Sequence, residues 1–186
     1  DLLDNTHLNL VAGEEYLNRE ITTADISRPG LEMTGYFNYY APERVQLMGI
    51  TETSFAHRMN HDELLMVARK MMQPNTPAFV VSTGRQLPQE FMQAALEAQI
   101  PVLATELTSS RILSNMTFFL SGGLAERQSV HGVLVDIFGL GVLITGDSGV
   151  GKSETALELV QRGHRLIADD RVDVYAQDEE RLVGEP

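Results

Sequence analysis

The sequence contains no cysteine and no tryptophan among its 186 residues. The lack of cysteine excludes disulfide bonds and thiolate metal ligands within this chain, and it is compatible with a reducing cytoplasm. Basic residues are scarce as well, since 14 Lys and Arg stand against 26 Asp and Glu, for a net charge of −12. A nucleic-acid partner requires a basic face for its phosphates, so this balance argues against one.

Long hydrophobic runs are also missing. No apolar stretch reaches the length of a membrane-spanning helix, about 18 residues or more. The acidic start, Asp1-Leu2-Leu3-Asp4, lacks the charge pattern of a signal peptide, and without an initiator methionine we expect further residues upstream. The composition, 43% hydrophobic and 22% charged, is that of a soluble globular protein of one or two domains, with no membrane partner expected.

One stretch carries clear chemistry. It is Gly146-Asp147-Ser148-Gly149-Val150-Gly151-Lys152-Ser153, which fits the phosphate-binding P-loop G-x-x-x-x-G-K-[ST]. Glycines let backbone N–H groups turn toward phosphate oxygens, Lys152 brings a positive charge to the β/γ phosphates, and the Ser153 hydroxyl can ligate Mg²⁺. An apolar run at 142–145 predicts a strand before the loop, and 153–160 predicts a helix after it. This order of strand, loop and helix predicts a nucleotide site.

Acidic residues follow the next predicted strand. Residues 164–168 are followed by Asp169 and Asp170, and an acid beside a P-loop either holds Mg²⁺ or orients and deprotonates the nucleophile. One helix and one return strand separate Lys152 from Asp170, so a carboxylate could face the γ-phosphate, but the spacing does not distinguish the two acids. His131 is predicted to begin the strand that pairs with the one entering the P-loop. From the residues alone we interpret it as structural rather than as a phosphate contact.

The first two thirds of the chain show alternating strand and helix patterns. Strands are predicted at 45–50, 78–81 and 101–104, and helices at 60–72, 88–98 and 109–120. Asn60 is the predicted N-cap of the first of these helices, with Glu63 as its capping-box partner. Such alternation predicts right-handed βαβ units and a small parallel sheet.

Two polar or aromatic segments in this half permit two interpretations each. Residues 82–85 follow a predicted strand and could hold an anion, although we prefer a simple polar turn. The aromatic cluster at 35–42 could be a ligand-stacking surface, although we prefer the protein core or a subunit interface.

Small and polar residues at 121–129 indicate a domain boundary, with a surface loop inside a single domain as the alternative. We therefore predict an N-terminal α/β domain over 1–127 and a P-loop domain over 128–186. In the second domain, strands at 133–137 and 142–145 joined by a glycine turn predict a hairpin that leads into the P-loop. The guanine-specifying [NT]-K-x-D is absent, and the only D-x-x-G precedes the P-loop, which argues against a GTPase.

The chain as a whole resembles a known family, bacterial HPr kinase/phosphorylase. The segments that carry the resemblance are 131–136, 141–159 and 162–170 in the second domain and 27–30, 35–37 and 43–47 in the first. The resemblance implies a small α/β domain with a parallel sheet, followed by a P-loop domain similar to phosphoenolpyruvate carboxykinase. It implies a cytoplasmic bacterial enzyme, usually a homohexamer, that uses ATP and Mg²⁺ to phosphorylate a serine of HPr, the phosphocarrier protein of the sugar phosphotransferase system. It also implies the reverse reaction, in which inorganic phosphate attacks phosphoserine and yields pyrophosphate.

The resemblance also assigns roles to residues. It implies that 146–153 binds the nucleotide, that Ser153 ligates Mg²⁺, and that His131, Lys152 and Asp170 are catalytic, with Asp170 as the base forward and the acid in reverse. The family continues beyond Pro186 with a second Mg²⁺ ligand, a catalytic arginine and the C-terminal helices, so we expect a polypeptide ending there to lack kinase activity. The alternatives are a small-molecule kinase or carboxykinase relative and a non-catalytic nucleotide-sensing module.

Overall fold

The structure is a computed structural model that describes residues 2–186. The chain divides into two compact units, Asp1–Leu124 and Ala125–Pro186. Both mix helices and strands, so the predicted α/β class is confirmed. No helix within residues 2–186 combines the length and the apolar character needed to cross a membrane.

The first unit is built on a five-stranded sheet in the order β1-β5-β4-β3-β2. Its strands are β1 (Asn9–Ala12), β2 (Ile26–Ser27), β3 (Val45–Met48), β4 (Phe79–Val81) and β5 (Val102–Ala104). Strands β2 to β5 run parallel to one another, whereas β1 pairs antiparallel with β5. The predicted parallel sheet is therefore confirmed, and the antiparallel edge strand β1 was not predicted.

Helices cover both faces of this sheet. They are α1 (Leu2–Thr6), α2 (Ile50–Ala56), α3 (His61–Met71), α4 (Gln89–Ala98) and α5 (Ser109–Leu124), with 3₁₀ turns at Glu14–Tyr16 and Leu31–Thr34. Alternate residues of β4 pack on opposite faces of the sheet, in two separate hydrophobic cores. Phe79 and Val81 pack with α3 and α4, whereas Val80 packs with α5. Because both faces of β3, β4 and β5 are buried, these strands are almost wholly apolar, as is usual for parallel sheets.

Two helix starts in the first unit can be compared with the prediction from the sequence, and one agrees while the other differs. The Asn60 side chain accepts the backbone N–H of Glu63 at 2.9 Å, which confirms the predicted N-cap of α3. The predicted strand through Ile50 is wrong, because β3 ends at Met48 and α2 begins at Ile50. The Glu52 carboxylate accepts the N–H of Gly49 at 2.9 Å and so stabilises a helix start there.

The second unit contains two three-stranded sheets, β11-β10-β6 and β8-β7-β9. Their strands are β6 (Gln128–His131), β7 (Val133–Ile137), β8 (Leu140–Ile144), β9 (Arg165–Ala168), β10 (Arg171–Ala176) and β11 (Leu182–Glu185), and α6 (Lys152–Gln161) follows β8. The predicted β7–β8 hairpin is confirmed and closes through Phe138 and Gly139, both at positive φ (54° and 86°). Left-handed conformations at both turn residues match the twist of the paired strands.

The two units meet in sequence at the end of α5. This helix was predicted to end near Leu120, but it continues to Leu124 and includes Gly122 and Gly123. The compact units therefore divide after Leu124, whereas the predicted boundary lies between residues 127 and 128. The functional domain boundary over 1–127 and 128–186 stays a prediction.

Candidate active site

Three chain segments meet at one end of the β8-β7-β9 sheet. In the antiparallel β7–β8 pair Val133 lies opposite Ile144, so the residues before β7 and the P-loop after β8 leave the sheet at the same end. In the β7–β9 pair Leu134 lies opposite Ala168, which brings the residues after β9 to that end as well. Strands β8 and β9 are parallel, and the edge beyond the carboxyl ends of such strands commonly holds ligands.

The P-loop occupies the connection between β8 and α6, as predicted. Gly146, Gly149 and Gly151 have φ of 149°, 84° and 98°, which side-chain-bearing residues rarely adopt. Gly151 is the N-cap of α6, so the first N–H groups of the helix follow the loop directly. These free N–H groups and the helix dipole make the loop an anion-binding site.

Lys152 folds back over this loop. Its ammonium group donates to the carbonyl oxygens of Gly146 and Asp147, both at 2.8 Å. The Thr155 hydroxyl donates to the Gly151 carbonyl at 2.8 Å and ties the loop to the first turns of α6. The lysine charge is therefore held beside the loop's backbone, where phosphate oxygens of a bound nucleotide would lie.

His131 and Asp170 form a pair at the same end of the sheet. The Nδ1 atom of His131 lies 3.1 Å from Oδ1 of Asp170, and both side chains are largely exposed. Arg171, the next residue along the chain, does not compete for this carboxylate because it pairs with Asp173 at 3.2 Å. Hydrogen bonds from Ser129 and then from Arg171 hold the pKa of Asp173 below its usual range.

The predicted place of His131 at the start of a strand paired with β8 is wrong. His131 is the last residue of β6 and lies opposite Arg171 of β10, in the other sheet of this unit. The chain passes from one sheet to the other at Gly132, whose N–H donates to the Asp170 carbonyl at 3.1 Å. The histidine thus reaches the site from the strand before the hairpin.

Gly132 is a residue that the sequence analysis did not single out. A Cβ at this position would lie 2.7 Å from the carbonyl oxygen of Ile144, the last residue of β8. Only glycine allows the strand carrying His131 to approach the start of the P-loop this closely. The sequence shows a glycine directly after His131. That this glycine is required for close packing follows only from the β7–β8 register, which places it beside Ile144.

Asp170 has a left-handed backbone with φ of 79°. Aspartate tolerates this conformation better than most residues, yet it is uncommon outside glycine, and such conformations cluster at functional sites. Both acids lie between β9 and β10 and both are exposed, but Asp170 contacts His131, whereas the Asp169 side chain forms no hydrogen bond or ion pair within residues 2–186. The geometry therefore favours Asp170 over Asp169 as the candidate acid of the site, and the spacing in the sequence did not distinguish the two.

The donors present are compatible with Mg²⁺. The Ser153 hydroxyl in the first turn of α6 is exposed and makes no side-chain hydrogen bond within residues 2–186, and Asp170 offers a hard carboxylate oxygen. The part of the chain that the structure describes contains no cluster of three or more His, Asp or Glu residues able to hold a metal. Mg²⁺ usually takes one or two protein ligands and completes its shell with water and substrate phosphates, so these donors suffice.

The second unit has the loop, lysine and adjoining acid that are typical of P-loop domains, a class that binds phosphate groups. Comparison with known proteins then defines the family. Residues 1–120 match the family model described as HPr Serine kinase N terminus, and residues 122–186 match HPr Serine kinase C-terminal domain. The chain belongs to the HPr kinase/phosphorylase family.

Individual relatives agree with the family models. The chain is 70% identical over 184 residues to the HPr kinase/phosphorylase of Levilactobacillus brevis, and 69% identical over 186 residues to that of Lactiplantibacillus plantarum. The matches cover 99% and 100% of this chain but 59% of each relative, so the chain spans about three fifths of their length. The solved HPr(Ser) kinase/phosphatase from Coxiella burnetii is 44% identical over 31% of this chain and 34% of that chain, with a TM-score of 0.28.

Proposed function

We propose that this chain is part of an enzyme that phosphorylates a serine of the phosphocarrier protein HPr with ATP and also catalyses the reverse phosphorolysis. One observation carries the proposal: the His131–Asp170 pair lies at the sheet end from which the P-loop emerges. A phosphate cradle with a carboxylate at its edge suits transfer of a phosphoryl group to an alcohol. The names and identities of the relatives support HPr as that alcohol's source.

In the forward direction the serine hydroxyl of HPr attacks the γ-phosphorus of ATP. Asp170 accepts the hydroxyl proton, the bond from the γ-phosphorus to the bridging oxygen breaks, and ADP leaves. Lys152 and the N–H groups of residues 146–153 hold the phosphates, and His131 orients the Asp170 carboxylate. Ser153 would hold Mg²⁺, which would supply positive charge that offsets the negative charge on the phosphates.

In the reverse direction an oxygen of inorganic phosphate attacks the phosphorus of phosphoserine. The bond to the serine oxygen breaks, Asp170 returns a proton to that oxygen, and pyrophosphate forms. One carboxyl group can serve both directions because the base of the forward step is the acid of the reverse step. The family resemblance further supports a homohexameric assembly and a cytoplasmic location.

The test is phosphoryl transfer with a polypeptide of the relatives' full length, comparing wild type with Asp170→Asn. Loss of acid–base catalysis is expected to lower both the forward and the reverse rates by about 10²- to 10⁴-fold. Nucleotide affinity is expected to change little, because the P-loop is intact. Asp169→Asn is the matched control and is expected to retain most activity.

Three results would contradict the proposal. Equal losses of phosphoryl-transfer rate in Asp170→Asn and Asp169→Asn would contradict the role of Asp170 as the acid–base residue. Transfer of labelled phosphate to small acceptors but not to HPr would instead indicate a small-molecule kinase. Nucleotide binding without any transfer would indicate a sensing module.

A further inference from the structure

The first unit contains a cavity unrelated to the P-loop. It has a volume of about 440 Å³ and lies where β4 and β5 end, between the antiparallel edge strand β1, the loop after β4 and helix α4. Pockets that bind small molecules commonly measure about 300–1,000 Å³. The carboxyl edge of parallel strands is also the usual ligand position in α/β sheets. Location and size therefore both fit a binding site.

The cavity wall is apolar on one side. Val81, Leu87 and Val102 belong to the core that α3 and α4 share with the sheet and are at most 8% exposed, so the accessible apolar surface comes from Val11 and Met92. Val11 of β1 also lines the cavity and is 51% exposed, which is unusual for an apolar side chain inside a concavity. An apolar group entering here would cover surface that now faces water.

The rim carries two opposite charges without partners. Arg85 and Glu106 both line the cavity, and neither side chain forms a hydrogen bond or an ion pair within residues 2–186. The Glu106 side chain lies close to the loop, since a Cβ on Gly84 would lie 2.5 Å from its Oε2 atom. The two charges thus flank one opening without neutralising each other.

The loop that presents Arg85 has a strained backbone. Thr83 and Gly84 are both left-handed, with φ of 62° and 63°. This conformation is a genuine outlier for a β-branched residue, and such strain is concentrated at active sites and ligand clamps. The strain is held by the segment after β5, because Leu107 and Thr105 accept the N–H groups of Thr83 and Gly84 at 2.8 and 3.0 Å. The same two bonds hold the Arg85 loop beside the segment that carries Glu106.

We propose that this cavity binds a small zwitterion with an apolar side chain, either a free amino acid or a dipeptide. Its carboxylate lies at Arg85, its ammonium group lies at Glu106, and its side chain contacts Val11 of β1 and Met92 of α4. Arg85 and Glu106 are both exposed, and a ligand with both charges pairs with both of them, whereas a simple anion or cation pairs with only one. The inference is independent of the proposed kinase function, because it involves residues of the first unit alone.

The test uses the 186-residue chain and isothermal titration calorimetry. The probes are leucine, methionine, phenylalanine and the dipeptide Leu-Leu, each compared with its carboxamide and its N-acetyl derivative. At least one unmodified probe is expected to bind saturably. Blocking either charged group is expected to weaken that probe about tenfold or more, as for loss of a charge-assisted hydrogen bond.

Two variants identify which protein charge meets which ligand charge. Arg85→Gln is expected to weaken the free acid about tenfold and to abolish its advantage over the carboxamide. Glu106→Gln is expected to do the same for the free amine relative to its acetyl derivative. Matched controls are Arg111→Gln on α5 and Glu15→Gln, two exposed residues outside the cavity, which are expected to bind like wild type.

All other outcomes overturn the inference. It fails if no probe binds saturably up to about 10 mM, the weak end of measurable affinities. It also fails if Arg85→Gln and Glu106→Gln bind like wild type, or if the Arg111→Gln and Glu15→Gln controls lose as much affinity. Thermal unfolding of each variant verifies folding, which substitutions at exposed side chains are expected to leave unchanged.

Discussion

The two units cover their apolar residues very differently. In the first unit every residue of β3 and β4 is buried, and helices pack on both faces of the sheet. In the second unit apolar side chains of β8, α6 and β9 face water, among them Leu140, Leu157 and Leu166 at 71%, 59% and 45% exposed. The second unit buries only two small clusters, around Val133 and Val135 and around Leu134 and Val172, so similar apolar patterns gave strands in both units but cores of different size.

The largest expected effect tests this difference in burial directly. Phe91 of α4 is fully buried and its ring lies 6.0 Å from that of Phe79, so Phe91→Ala is expected to destabilise the first unit by about 3–5 kcal/mol. Leu157→Ala on α6 is the matched comparison, expected to change stability by no more than about 0.5 kcal/mol because Leu157 is already exposed. Urea unfolding followed by circular dichroism measures both. Similar losses would mean that the second unit buries Leu157 after all.

An intermediate effect is expected at the site end of the second unit. Gly132→Ala places a Cβ 2.7 Å from the Ile144 carbonyl oxygen, a backbone atom that cannot move without disturbing β8. The variant is expected to lose about 1–3 kcal/mol of stability, a typical loss from overpacking, and to bind ATP more weakly.

The control for that variant is Gly123→Ala near the end of α5. No atom lies within 4 Å of its added Cβ. Alanine is therefore expected to be neutral or to stabilise the helix by up to about 1 kcal/mol. Thermal unfolding and nucleotide titration compare the two variants, and wild-type behaviour of Gly132→Ala would show that the site end is loosely packed.

The smallest effect is expected from a surface ion pair of the first unit. Arg69 donates two hydrogen bonds to Glu97, both at 2.9 Å, and with Gln93 it lowers the pKa of Glu97 from 4.5 to about 2. A depressed carboxyl pKa contributes stability above pH 4.5, which is lost as pH falls toward 2. Glu97→Gln is therefore expected to be slightly less stable than wild type at pH 7 and equally stable near pH 2. Thermal unfolding from pH 7 to pH 2 measures the difference in stability between the variant and wild type. A difference that does not change with pH would contradict the lowered pKa of Glu97.

Local sequence chemistry was enough to predict several features of the fold. The N-cap at Asn60 was recognisable because one side chain and the N–H three residues later suffice to form it. The helix predicted over 153–160 corresponds to α6, which is followed by Gly163 at φ of 97°. The start of α2 was missed because the strand-like run through Ile50 is stopped by Glu52, which bonds back to Gly49.

The candidate site also has one part that the sequence predicted and one part that it did not. Residues 146–153, with the strand before and the helix after, were determined by the sequence alone, because a P-loop is a continuous segment whose glycines and lysine act on their own backbone. Only the tertiary structure decided that His131 lies 3.1 Å from Asp170 and that both stand at the end of the P-loop strand. Those contacts depend on two antiparallel registers and on the close approach at Gly132, and pairings between distant strands are set by packing rather than by local preference.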